Sequence, residues 1–442
     1  MIKNLLPYIL SFALGTLILN LVLNGTRFRM FIRFVLAWGL GLGLSSMIAF
    51  SSFWIFNMYS RIYALFFHLV LIFLLGFHQI VIQNKRPSPI KRAELPETGI
   101  FILLLLSVGT LSYIYGHFYP FGGWDAWQVW NFKAKFLFES TGQWRNLFDP
   151  VLWRSSPHYP LLLPLINVWA WTFAEQTGAA GPFMTSILFN LLTAAIIFAA
   201  LYELTGSKWA VAAAILPFLN AHYMILATAQ YCDHVLGFFL CCAIISFTLA
   251  MNNGRSALFG LTGAFLGFLS FTKPEGTIAA GLSLMLFLAM VFFQKRGWKS
   301  ACWLMGATLV FLIPTLIFKL LLSPGNQTFI NGLASAAKPS SWQRLQIIVR
   351  YSGMELAHEK WAGLWLVLLA GFFVEIRACF QKQFIPLAAF LILYLGIVLA
   401  YYWINTYFEI TWWLSVTLGR ILISLLPAFL IWIAASNIPR KQ

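Results

Sequence analysis

The chain has 442 residues; 60% are apolar, 17% are aromatic, and only 10% are Asp, Glu, Lys or Arg. A soluble domain has about a quarter of its residues charged, so 29 basic and 13 acidic side chains cannot cover a water-facing surface. This excludes a soluble globular enzyme, a disordered protein and, despite a net charge of +16, a nucleic-acid binder, and leaves an integral membrane protein.

A helix needs about 20 apolar residues to cross a hydrocarbon core about 30 Å thick. The first such run, Leu5–Leu23, lacks a small-residue cleavage site followed by polar sequence and reads as a retained span, not a signal peptide. Further spans are expected at 31–56, 62–82, 100–119, 183–204, 208–225, 234–251, 257–272, 277–293, 300–322, 361–375, 384–403 and 414–435. One more run, 159–174, is short and holds Pro160 and Pro164. Loops rich in Lys and Arg stay cytoplasmic. The clearest are 83–93 (Lys85, Arg86, Lys91, Arg92) and 294–299 (Lys295, Arg296, Lys299). An even number of spans separates them only if 159–174 does not cross, so that segment is expected to lie along or dip into the outer interface without crossing. The same assignment puts Arg27, Arg29, Lys208, Arg255, Arg377, Lys382, Arg440 and Lys441 inside, with Arg61 a minor violation.

The expected fold is therefore all-α: a polytopic membrane protein of about 13 transmembrane helices, N-terminus outside and C-terminus inside. Residues 1–99 form three leading helices and a basic cytoplasmic loop. Residues 100–293 form a core with the outer loop 120–182, and residues 294–442 form the last helices with the outer loop 323–360. Cys232, Cys241, Cys242, Cys302 and Cys379 show no CxxC or metal spacing and read mostly as small hydrophobes.

The carboxylates fall mainly outside, including all three aspartates, Asp125, Asp149 and Asp233. Asp125 opens the stretch Ala126–Glu139, where Trp127, Trp130, Ala134, Leu137 and Phe138 form an apolar stripe flanked by Lys133 and Lys135. That pattern suits a helix lying in the interface with snorkelling lysines. Asp125 can be a helix N-cap, with Gln128 completing a capping box, or a functional carboxylate. Asp233, beside His234, has the same two readings; Asp149 reads as an ordinary loop residue. Lys273-Pro274-Glu275-Gly276 forms an outer turn whose Lys can simply snorkel, or whose Lys and Glu can hold an anion and a hydroxyl. Arg420 lies about six residues inside a span, roughly 9 Å deep. A charge there costs at least about 2.5 kcal/mol and normally faces a polar cavity and a partner. It reads either as paired with a buried carboxylate or as an anion site for phosphate.

Cations and carboxylates at an outer membrane boundary suit a lipid-phosphate substrate. Phosphate as leaving group needs cationic stabilisation, and an acceptor hydroxyl needs a carboxylate base within hydrogen-bond reach. Glycoside hydrolysis by two carboxylates gives no reason for intramembrane cations.

The stretch Gly123-Trp124-Asp125-Ala126-Trp127 through Lys133-Ala134-Lys135 resembles the first outer loop of GT-C membrane glycosyltransferases that use polyprenyl-phosphate sugars. His158-Tyr159-Pro160-Leu161-Leu162-Leu163-Pro164 is similar to the interfacial segment that follows in that loop. Gln230-Tyr231-Cys232-Asp233, Lys273-Pro274-Glu275-Gly276 and Gly419-Arg420 before Leu425-Leu426-Pro427 resemble later segments of the bacterial branch, which includes the protein-mannosyltransferase and aminoarabinose-transferase families. The resemblance covers roughly residues 100–435, in order, and leaves the three leading spans without a counterpart.

The resemblance implies a GT-C-like core with interfacial helices in the first large outer loop, and an inverting single-displacement transfer of a hexose or pentose. Asp125 would be the general base. Arg420, Lys273, Tyr159, Lys133 and Lys135 would bind donor phosphate, and Asp233, Glu275, His234 and Trp124 would bind sugar or acceptor. The implied partners are a polyprenyl-phosphate sugar, a glycan, lipid or protein acceptor and membrane lipids, in a bacterial inner membrane with the site facing the periplasm or exterior. Many relatives carry paired acids where Ala126 follows Asp125 here, and one carboxylate is a poor divalent site, so no metal or other cofactor is expected. The rival readings are a transporter or flippase of lipid-linked sugars, which would place polar groups at the bilayer midplane, and a polymerase or ligase of lipid-linked oligosaccharides.

Overall fold

The computed structural model describes residues 2–23, 29–82, 95–326, 330–332 and 341–438. The basic residues Arg27, Lys85, Arg86, Lys91, Arg92, Arg440 and Lys441 lie outside the described residues. Helices α1 (Ile2–Val22), α2 (Met30–Phe56), α3 (Arg61–Phe77) and α4 (Leu95–His117) come first. The segment after α4 holds α5 (Asn131–Glu139) and α6 (Leu162–Ala170). Then follow α7 (Ala180–Thr205), α8 (Ala210–Ile215), α9 (Ala221–Thr228), α10 (Cys232–Asn253), α11 (Ser256–Ser270), α12 (Pro274–Phe293) and α13 (Trp298–Ile317). The chain ends with α14 (Trp342–Ala357), α15 (Leu364–Val374), α16 (Ile385–Ile404) and α17 (Ile410–Asn437). The described residues contain no β-strand, and ten of their helices are long and apolar enough to cross a membrane. The protein is an all-helical, multi-pass membrane protein.

Local chemistry sets the helix ends. Asn57, in the left-handed region at φ 55°, closes α2, and the Ser60 hydroxyl caps α3 by accepting from Tyr63 N. Gly206 and Gly254, at φ 71° and 68°, close α7 and α10, where glycine takes positive φ without a Cβ penalty. Pro274 opens α12 at the position where a missing N–H costs nothing. The Glu409 carboxylate accepts from Thr411 N and Trp412 N and so starts α17.

Three expected spans have a different form. The run 208–225 breaks at Asn220, and the two pieces meet at 78°. Pro217 removes a ladder donor there, and the Asn220 side chain accepts from Tyr223 N to begin α9 afresh. The run 257–272 gives the 15-residue α11, a short helix walled in by α10, α12 and α13. The run 361–375 gives α15, whose 11 residues reach only about 16 Å and cannot cross alone. The expected outer loop 323–360 contains α14, which packs along α16 and α17: Arg344 donates to Tyr402 O and Asn405 O, and Glu355 is buried beside Gly419.

The segment between α4 and α7 is largely enclosed by protein. All nine residues of α6 are buried. Trp169 stacks on His68 with ring centres 4.0 Å apart and donates to Pro7 O and Ser11 Oγ. In α5 the stripe residues Ala134 and Leu137 face protein, as does Trp130 just before it, and Lys133 is completely buried, so it is not a snorkelling lysine. The leading helices join the same packing, since α2 touches α6, α7, α10 and α11. Arg29, Lys208, Arg255, Lys295, Arg296, Lys299 and Lys382 all lie at helix ends away from Asp125.

Candidate active site

Two close approaches build the site. The loop after α4 turns at Gly122, φ 76°, where a Cβ would collide with Ala229 O and Ala126. This lets Gly123 N donate to Ala229 O at 2.9 Å and docks the loop on the α9–α10 turn. A relay of amides continues the seam. Gln230 donates to Pro120 O and accepts from Asn131, whose own carbonyl accepts from Asn167. Further in, α10 crosses α17 at Gly237, which leaves no room for a Cβ against the Ser424 backbone. One turn back along each helix, that contact brings Asp233 level with Arg420.

The result is an alternating chain of charge. Arg420 Nη1 donates to Asp125 Oδ2 at 2.6 Å, and its Nε and Nη2 donate to Asp233 Oδ2 at 3.1 and 3.0 Å. Lys273 Nζ lies 3.0 Å from Asp233 Oδ1 and 3.3 Å from Glu275 Oε1. The middle of the chain is closed and its ends are open: the Asp233 and Lys273 side chains are 5% and 6% exposed, Asp125 and Glu275 26% and 32%. Burial by itself would lower the Lys273 pKa, but Asp233 and Glu275 more than offset it and hold the ammonium above its ordinary value. The guanidinium also lies 4.7 Å from the centre of the Tyr231 ring.

Neither aspartate is a cap. Asp125 makes no cap hydrogen bond at the helical turn Ala126–Trp130, and the Asp233 carboxylate is spent on Lys273 and Arg420. Asp149, by contrast, caps the turn Pro150–Ser155 by accepting from Val151 N. Arg420 follows the carboxylate-pairing reading: two acids occupy three of its donors. Asp125 Oδ1 and Glu275 Oε2 have no hydrogen-bond partner among the described residues.

Two more lysines lie nearby. Lys133 Nζ donates to Ser156 O at 2.7 Å and Tyr159 O at 3.1 Å and faces no carboxylate, and burial pushes its pKa well down. Lys319 Nζ donates to His158 O. Burial, then Lys133 and Lys319, hold His158 neutral with a pKa of about 3. Burial raises the Tyr159 phenol, which lies within electrostatic reach of Glu275, Lys273, Arg420 and Asp125.

The remaining predicted residues scatter. Trp124 is exposed next to Asp125 and meets Trp127 edge to face at 4.6 Å. Lys135 points outward, on the face opposite Lys133. His234 is buried away from the charge chain against Tyr223, with no hydrogen bond at either ring nitrogen among the described residues. Tyr231, Lys319 and the amide relay were not singled out as site residues. Tyr231 and Gln230 lie within the Gln230-Tyr231-Cys232-Asp233 segment, whereas nothing local marks Asn131 or Asn167 as a stitch between distant segments.

Among the described residues, no three His, Cys, Asp or Glu side chains converge as a metal site. No protein-family model, curated protein or solved structure matches the chain. Chemically, the site offers a partly open carboxylate held in position by an arginine, with buried cations alongside it. Such a set suits removal of a proton next to a departing anion.

Proposed function

We propose that the protein is a GT-C-type membrane glycosyltransferase that moves a sugar from a polyprenyl-phosphate donor to an acceptor hydroxyl on the extracytoplasmic side of a bacterial inner membrane. The observation that carries this reading is Asp125, held through Oδ2 alone by Arg420, with Oδ1 unengaged at the open end of the charge chain. In the proposed step Asp125 Oδ1 takes the acceptor proton while the acceptor oxygen attacks the anomeric carbon from the face opposite the phosphate. The bond from that carbon to the phosphate oxygen breaks, its electron pair leaves with the polyprenyl phosphate, and the sugar is inverted. The donors of Arg420 left over by the two aspartates, together with Lys273 and Lys133, receive the anion, with Tyr159 beside them. Trp124 offers a ring to the sugar or acceptor, and Asp233 and Glu275 orient the cations. The acceptor is a glycan, lipid or protein hydroxyl.

The deciding experiment uses purified protein in liposomes with a polyprenyl monophosphate bearing a labelled sugar, followed by mass spectrometry of the cell-surface glycans with and without the protein. Transfer that Asp125→Asn abolishes supports the reading; full activity of that variant defeats it. The bend at Asn220 favours a second reading, a flippase for lipid-linked sugar, because transporters use broken helices. Movement of the labelled lipid across the liposome without a new glycosidic bond would select it.

A further inference from the structure

A cavity of about 370 Å³ lies at the opposite end of the bundle from the charge chain. Helices α10 and α12 carry Asp233 and Glu275 in their first turns and end at this cavity, which Asn252 and Gln294 line. Its wall also carries Arg296, Lys382, Gln381 and Gln383, and no carboxylate. Arg296 is fixed at the rim by a hydrogen bond from Nη2 to Met251 O, while the Lys382 ammonium and the side-chain amides of Gln294, Gln381 and Gln383 have no hydrogen bond among the described residues. Two cations and several free amide donors with no acid among them form an anion receptor, suited to a phosphate ester with hydroxyls beside it.

The surroundings specify an amphiphile. Past Phe247, Thr248, Gln383 and Pro386 the cavity narrows to a space of only about 20 Å³ beside Ile244, Phe287, Leu387 and Ile431, so the chains of an amphiphile stay outside it. Phe293, 83% exposed, is the chain neighbour of Gln294, and the exposed Phe380 and Ile385 flank the Gln381–Gln383 turn. A soluble anion has no use for an apolar rim, whereas a lipid lays its chains against it. Basic pockets between helices at a membrane surface bind anionic head groups in this way.

We infer that this cavity is a binding site for the head group of an anionic phospholipid, with the phosphate between Arg296 and Lys382, the glycerol on the glutamine amides and the acyl chains against the exposed Phe293, Phe380 and Ile385. The inference stands independently of the proposed transfer reaction.

The test measures lipid binding to the purified full-length protein by native mass spectrometry and by thermal stabilisation in detergent. The probes are phosphatidylglycerol, phosphatidylcholine and water-soluble glycerol phosphate. Phosphatidylglycerol is expected to bind, and Lys382→Gln, which has no hydrogen bond or ion pair to lose among the described residues, is expected to weaken it at least about tenfold, with Arg296→Gln weakening it further. The charge-matched control Lys295→Gln with Lys299→Gln, at the same end but outside the cavity, is expected to retain wild-type binding. Equal loss in the control would reduce the effect to diffuse surface charge and overturn the site. Equal binding of phosphatidylcholine would overturn the anion role, and glycerol phosphate binding as tightly as the lipid would overturn the lipid assignment.

Discussion

Arg420 and Asp125 are 295 positions apart in the chain and 2.6 Å apart in the fold. The same guanidinium holds Asp233, so the two aspartates share one cation from opposite situations: Asp125 is partly open, and Asp233 is enclosed with Lys273 on its other side. They should therefore respond differently to loss of charge. Asp125→Asn leaves Arg420 paired with Asp233, and the variant should fold with little loss of stability while losing sugar transfer. Asp233→Asn leaves two buried cations short of their shared acid and should cost about 3–5 kcal/mol. Thermal unfolding of both variants in one detergent checks the order. An Asp125 variant less stable than the Asp233 variant would contradict the enclosed position of Asp233.

Lys133 and Lys135 are two residues apart on a short helix, and only Lys133 points inward. Lys133→Gln should raise the KM for a polyprenyl-phosphate donor by about tenfold, roughly the 1.4 kcal/mol of one weakened anion contact. Lys135→Gln should leave it unchanged. Steady-state kinetics with donor varied and acceptor fixed separates the two, and equal effects would remove Lys133 from the anion site.

Gly122 carries the turn that docks the first outer loop against Ala229. Gly122→Ala adds a Cβ at positive φ and against two neighbours, a strain of about 1–3 kcal/mol. Loosening the loop moves Asp125 away from Arg420, so kcat should fall more than donor affinity. Wild-type kcat in the alanine variant would show that the loop seats Asp125 without this turn.

His158 gives a pH dependence with a definite sign. Its folded pKa of about 3 lies below the ordinary value of 6.5, so between those values the unfolded chain binds the extra proton. The stability tied to neutral His158 is complete above pH 6.5 and is lost as pH falls toward 3. Wild-type protein should lose melting temperature relative to His158→Gln between pH ~7.5 and pH ~4.5. Parallel melting curves for the two proteins would place His158 in an ordinary, solvated environment.

Much was legible in the residues alone. Scarce charge and long apolar runs determined a multi-pass helical membrane protein, because lipid accepts only segments that satisfy their own backbone hydrogen bonds. The placement of Asp125, Asp233, Lys273, Glu275 and Arg420 near the ends of apolar runs was legible too, because hydropathy marks where chain leaves the lipid. What each charge meets was not. Sequence allowed Asp125 and Asp233 to be helix caps, and only the crossing of α10 and α17 at Gly237 and the docking of Gly122 turned both carboxylates onto Arg420. Hydropathy likewise treated Lys133 and Lys135 alike, since it cannot tell which face of a short helix will be covered; the neighbouring backbone carbonyls of Ser156 and Tyr159 decided that Lys133 is the buried one. Composition and periodicity are properties of a segment, whereas an ion pair between residues hundreds of positions apart exists only after packing has brought two segments within a few ångströms.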